Sequence, residues 1–371
     1  MSDPQTLTTP KEEIDAKGKW VVLDVTPDGP SLLAVGGTNF PGISARNWLD
    51  KTTRMTLLGK LRDALNGADF EGTVPYSGAE YKVVARAIWS PDRTQIVGAY
   101  GIFDVPGALL PEKPSIGTWQ WRVDKKTGKN VGEDSSRWDD ALFELYGIDP
   151  STVSSDRGPA GEWLAKLIST KDRNEIKLMI DSGIAVNNRQ RHQLSYEIIY
   201  QYGSPNPGKK QVSMSARAYD DPDFPEAVML RGFSREVASP TKLLTPGLTP
   251  VATGLIPGAL FALVEDRAFA AIDLVQEITF QTSSTWSQIG LQPSFEGNIA
   301  ALAHPDDKFA MEGHLKGAAQ GRVDPAQSLP VRLRAVSDTW LELDLTVARI
   351  DVAEDESRDL MTSLKPTKGA N

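Results

Sequence analysis

The strongest pattern in the chain is an alternation of apolar and polar residues with period two, which buries one face of a β-strand. Leu341, Leu343, Leu345 and Val347 alternate with Glu342, Asp344 and Thr346, and Leu329, Val331 and Leu333 form a shorter run before them. The same period recurs at Tyr81, Val83, Ala85, Ala87 and Trp89, at Leu194, Tyr196, Ile198 and Tyr200, and at Val212, Met214, Ala216 and Ala218. Further strands are predicted over 20–25, 31–35, 95–105, 118–123 and 227–236, with turns at 27–30 and 125–128. An opening hairpin of the last third is predicted from 259–264 and 268–274. Helices are predicted over 44–65, closed by Asn66-Gly67, over 139–146, 160–168 and 171–182, and from Pro305 to near Gly321.

Two proline-rich stretches, 106–114 and 239–250, cannot be continuous helix, because proline lacks the N–H donor and pushes its predecessor into extended backbone. They divide the chain into three segments of domain size that repeat one plan: a short hairpin, short helices, then long strands.

That order of elements resembles the PAS fold. The middle segment carries the most specific match, with Gly117-Thr118-Trp119-Gln120-Trp121 followed by Trp138-Asp139-Asp140-Ala141-Leu142-Phe143-Glu144-Leu145-Tyr146-Gly147. Lys171-Asp172-Arg173 there resembles the family's His-Pro-Asp-Asp-Arg helix start. The third segment has nearly the full form, His304-Pro305-Asp306-Asp307-Lys308, with Arg332-Leu333-Arg334 and Trp340-Leu341 in its closing strands. The first segment matches in element order alone. The resemblance implies an α+β chain of three tandem PAS-like domains, each an antiparallel sheet flanked by short helices. Their expected bounds are 19–106, 115–238 and 252–352, after a disordered N-terminus (1–18) and before a polar tail (353–371). The acidic run Asp351 to Glu356 is unsuited to a buried central strand, so the third sheet is expected to lack its last strand. The edge so exposed would serve self-association or a partner protein.

Composition narrows the function classes. A net charge of −9 argues against broad nucleic-acid binding, and the absence of cysteine removes disulfides, thiol catalysis and cysteinyl–flavin adducts. The polar N-terminus lacks the apolar core of a signal peptide, and the 254–264 stretch is too short to span a membrane, so a cytoplasmic location is expected.

The candidate chemistry is sparse. Asp306 and Asp307 read as helix caps, and no further carboxylates stand at metal-ligand spacing. His192 and His304 fall at a strand start and in the motif loop; His314, on a helix, is the nearest haem-ligand candidate and reads otherwise as a solvated or hydrogen-bonded side chain. The nine tryptophans are core mass or the walls of an apolar pocket between helices and sheet, where PAS ligands bind. For that pocket the middle segment offers Phe143, Trp163, Tyr196, Ile198 and Met214. No nucleophile–base pair, catalytic or metal site is assigned, no cofactor is named, and the segments leave no room for an output domain. The expected role is non-enzymatic signalling or scaffolding through protein contacts, gated by a small ligand; the alternative is a carrier of an apolar molecule such as a fatty acid.

Overall fold

Each of the predicted alternations forms a strand, and the strands assemble in one repeated order. The computed structural model describes residues 13–25, 30–132, 134–153, 160, 163–185, 191–238, 266–283, 285–292, 295, 297–350 and 359–367. The 27–29 turn, the 239–250 linker and the strand expected over 259–264 lie outside the described residues. The chain divides into two compact units, 1–118 and 119–371.

The first unit holds a six-stranded antiparallel sheet in the order β3-β2-β1-β6-β5-β4: β1 (Val21–Asp24), β2 (Ser31–Val35), β3 (Thr38–Ser44), β4 (Phe70–Tyr76), β5 (Ala79–Trp89) and β6 (Ile96–Asp104). Helical turns from Ala45 to Leu65 cover one face and bury Leu57, Leu58 and Leu61 against Val83, Ala85 and Phe103. β3 and β4 escape the sequence pattern because they are half-exposed edge strands, each carrying a proline, and edges tolerate the missing donor. The expected disordered stretch reaches too far. Ile14 bridges to Leu49 and Ala16 is fully buried, because its N–H meets Thr53 Oγ1 and its methyl joins the core.

The second unit holds two five-stranded sheets. One runs β8-β7-β11-β10-β9, from β7 (Ile116–Asp124), β8 (Ser136–Trp138), β9 (Arg191–Tyr200), β10 (Gly208–Asp220) and β11 (Ala227–Glu236). The other runs β13-β12-β16-β15-β14, from β12 (Ala268–Asp273), β13 (Ile278–Thr282), β14 (Leu329–Arg334), β15 (Trp340–Arg349) and β16 (Asp359–Pro366). In both sheets the opening strand sits at the centre beside the last strand, and the helices lie between the second strand and the third. The first sheet follows the same order with β3 added at its edge.

Two expectations for the third sheet are corrected. Residues 359–366 are not tail but a central strand, pairing with β12 on one side and β15 on the other and burying Leu360, Thr362 and Leu364. The acidic run that argued against a strand ends just before it. The predicted open edge is therefore filled, and Thr346 pairs with Ser363. The hairpin partner of β12 is β13.

The Asp306-Asp307 pair also acts differently from a simple cap. His304 is the N-cap, its Nδ1 accepting from Asp306 N–H at 3.3 Å. Asp307 accepts from the backbone N–H of Arg332 at 2.9 Å and from its guanidinium at 2.8 Å, and that guanidinium holds the carboxyl down to about 2. In the middle sheet Asp172 accepts from Glu197 N–H at 2.8 Å, likewise 25 residues ahead, so the two motifs tie helix to strand in the same way.

The helix Thr170–Ala185 joins the two sheets. Along β12, Ala268, Ala270 and Ile272 face the third core while Ala271 faces the middle one, joined there by Ile278 and Phe280 of β13. A strand buried on both faces reads as an unbroken apolar run, as Ala268 to Ile272 does. From the helix, Arg173 donates to the carbonyls of Phe295 (2.9 Å) and Gly297 (3.3 Å). One turn on, the buried Lys177 ammonium lies 3.1 Å from Asp273, 3.2 Å from Asp359 and 2.8 Å from Asp181. Asp273 and Asp359 are register partners on β12 and β16. Like charges directly opposite repel, so the lysine neutralises a pair that the sheet would otherwise expose as a fault. Lys177→Met should therefore cost about 3–5 kcal/mol in urea unfolding. Adding Asp273→Asn and Asp359→Asn should recover most of that loss, whereas a loss under about 1 kcal/mol would show the cluster to be well solvated.

Candidate functional site

The middle sheet and its helices line a small cavity of about 30 Å³, about 520 Å³ when its open mouth is counted, with walls that are almost wholly apolar. The period-two pattern builds its floor. Trp119 and Trp121 project from β7, Tyr196 from β9, and Met214 and Ala216 from β10. Trp138 of β8 and Trp163 of the turn 163–167 close the sides, and Met179 and Ile180 of the Thr170–Ala185 helix form the roof.

The aromatic groups hold one another. Trp138 stacks on Tyr146 at 5.1 Å between centroids, and Trp163 meets Tyr196 edge-on at 5.7 Å. The Tyr146 and Tyr196 hydroxyls share a hydrogen bond of 2.6 Å. Burial pushes the Tyr146 phenol up to about 12 and that of Tyr196 well above its ordinary value, so both stay protonated as donors. Gly147 ends the Asp140–Tyr146 helix in the left-handed region, φ +67°, where a Cβ would meet the Tyr200 ring at 2.6 Å. That turn fixes the position of Tyr146.

Of the five residues expected in the pocket, Trp163, Tyr196 and Met214 line the cavity together. Ile198 lies in the surrounding core, bridged to Ile168, and Phe143 packs on Trp138 at 5.2 Å. Sequence reasoning missed His192. It shares the inward face of β9 with Tyr196 and is 3% exposed, and neither ring nitrogen has a hydrogen-bond partner. The signal was present: His192 sits four residues before Tyr196 on the same alternating face. Arg217 of β10 also lines the cavity. The buried Nε1–H of Trp163 faces the two tyrosine hydroxyls and helps to hold their pKa values down against burial.

The other candidates do not assemble here. His304 contacts the Trp340 ring at 4.6 Å, and His314 is buried on the Pro305–Ala319 helix, away from the residues that line this cavity. Among the described residues no group of three or more metal-ligating side chains forms, and no helix is long and apolar enough to cross a membrane.

Burial, with the Arg217 charge adding to it, lowers His192 to about 4. The unfolded chain takes up this proton near pH 6.5 and the folded chain does so only near 4, so stability falls with pH between those values. Chemical denaturation as a function of pH should show this slope, worth on the order of 3 kcal/mol across the window. His192→Phe should flatten it, and an unchanged slope would mean that the ring is hydrated.

No family model and no curated relative matches this sequence. Among solved structures, an uncharacterized protein from Mycobacterium tuberculosis aligns over 95% of this chain and 97% of its own, at TM-score 0.52 and 14% identity. The N-terminal domain of a diguanylate cyclase with PAS/PAC sensor from Marinobacter aquaeolei aligns over 27% of this chain and 94% of its own, at TM-score 0.23 and 13% identity. An RNA-binding light-oxygen-voltage receptor aligns over 68% and 95%, at TM-score 0.23 and 11% identity. Those two scores are too low to carry an argument, and the first alignment shows what the whole chain is similar to in fold: a mixed α+β protein of mostly antiparallel sheets.

Proposed function

We propose that this chain is a non-enzymatic sensor and scaffold of three PAS-like modules, in which a small molecule in the middle cavity biases the protein's contacts with partners. Support for the modular reading comes from the strand order that the three sheets share and from the matching Asp172 and Asp307 contacts. A signalling role rests on one observation above all. The helix that roofs the cavity with Met179 and Ile180 also inserts Arg173 and Lys177 into the neighbouring sheet and its loops. A ligand that orders this roof therefore acts on two sheets at once, which a plain carrier does not need. The lining, aromatic with a few polar groups, has the usual composition of a small-molecule site. Fold alone does not fix function, so the cavity and helix carry the argument.

Native mass spectrometry of the purified chain tests the reading. The expected spectrum shows a mass excess of one small molecule that is lost on denaturation. Ala216→Phe, which fills the cavity from β10, should remove that excess while the protein stays folded. An excess that persists in the filled variant, or an empty protein that no small-molecule panel stabilises thermally, would contradict a ligand role for this cavity.

A further inference from the structure

The chemistry of the cavity walls specifies more than an apolar guest. His192 is almost wholly buried on the cavity face of β9, and both its ring nitrogens lack partners. Such a group costs free energy in the empty state and gains a hydrogen bond only when something polar enters. Three other titratable groups line the space: Arg217 of β10, Tyr196 of β9 and Tyr146 of the Asp140–Tyr146 helix. β7, β8, β11 and the Thr170–Ala185 helix contribute only apolar side chains and indoles. Among the described residues no carboxylate lines it. The polar groups on the walls, the Arg217 guanidinium, the Tyr146 and Tyr196 hydroxyls and the His192 ring, carry donors or gain one by taking up a proton, which matches a guest rich in acceptors. The aromatic lining adds a second constraint. Indole rings of Trp119, Trp121, Trp138 and Trp163 line the cavity, and an aromatic guest packs on indoles with less loss of conformational freedom than a flexible chain suffers.

Resting on the ligand reading above, we infer that the middle cavity takes a flat aromatic carboxylic acid, with its ring between the tryptophans and its carboxylate hydrogen-bonded to a protonated His192. In proton terms, the neutral imidazole and the carboxylate anion take up one proton from solvent. The product is an imidazolium–carboxylate pair, and no covalent bond changes. Such a pair is a charge-assisted hydrogen bond in a dry site, the strong kind.

Isothermal titration of the full chain at pH 7 tests this, using 2-naphthoate, its uncharged amide 2-naphthamide, and dodecanoate. Each titration is run in two buffers of different ionisation enthalpy. The expected result is that 2-naphthoate binds at least about tenfold tighter than either other probe, the ratio that one good charge-assisted contact supplies. Its binding should take up close to one proton. His192→Phe should lose that preference and the uptake while keeping its affinity for 2-naphthamide. His192→Gln, which keeps a hydrogen bond but cannot titrate in this range, should lose the uptake and retain part of the affinity. Absence of 2-naphthoate binding, equal affinity for acid and amide, no proton uptake, or tighter binding of dodecanoate would each overturn the assigned class. Binding of dodecanoate or 2-naphthamide without 2-naphthoate would leave the cavity as a ligand site. Failure of all three probes, together with an empty native mass spectrum, would remove both readings.

Discussion

The second unit depends on one buried charge. The Lys177 ammonium is removed from water and set between Asp273 and Asp359, which face each other across β12 and β16. Each strand alone would be tolerable, but paired in register the two carboxylates repel, and removal of water strengthens the repulsion. The lysine converts that liability into a joint between a helix of one sheet's layer and the central strands of the next. Arg173, on the turn before, adds bonds to two backbone carbonyls of the neighbouring loop. Apolar packing of Ala271, Ile278 and Phe280 supplies the area of this joint, and the charges fix its register.

The same helix roofs the cavity, so the two features cannot move independently. Its Met179 and Ile180 meet the aromatic cavity, and Lys177, only two residues before Met179, meets the acidic pair. Met is unbranched and adaptable, so this wall can repack with little strain. The tyrosine pair and the Trp138–Tyr146 stack stiffen the opposite side. Under the proposed ligand role, a guest held against these packed aromatics would act first on the roof, which is tied to the second sheet.

Much of the architecture was legible from period-two runs, because strands with one buried face write their position into alternate residues. β5, β9, β10, β14 and β15 form where the alternation predicts them, and β11 forms where a strand is predicted without alternation. Strands that carry no strong alternation were missed. β3, β4 and β8 are edges or short pairings, and β16 breaks the alternation, with Met361 on its outward face and Thr362 on its buried one, and follows an acidic run. The Asp306-Asp307 motif was legible as a helix start, but its partner Arg332 lies 25 residues away, and sequence proximity does not reveal such a pair. The cavity was half legible. Strand spacing marked Tyr196 and Met214, and Trp163 stood out as an aromatic of the helix predicted over 160–168, whereas His192 looks ordinary until its strand places it on the same face as Tyr196. The Lys177 cluster was not legible at all, since it needs three distant segments brought into one register.

Hydrogen exchange across the full chain, with the cavity empty and then filled by 2-naphthoate, tests the central claim that cavity and third sheet are coupled through one helix. Filling should slow exchange in β9 and β10, in the Thr170–Ala185 helix, and also in β12 and β16 beyond the Lys177 joint. Ligand-dependent protection confined to 116–236, with β12 and β16 exchanging as before, would contradict the coupling.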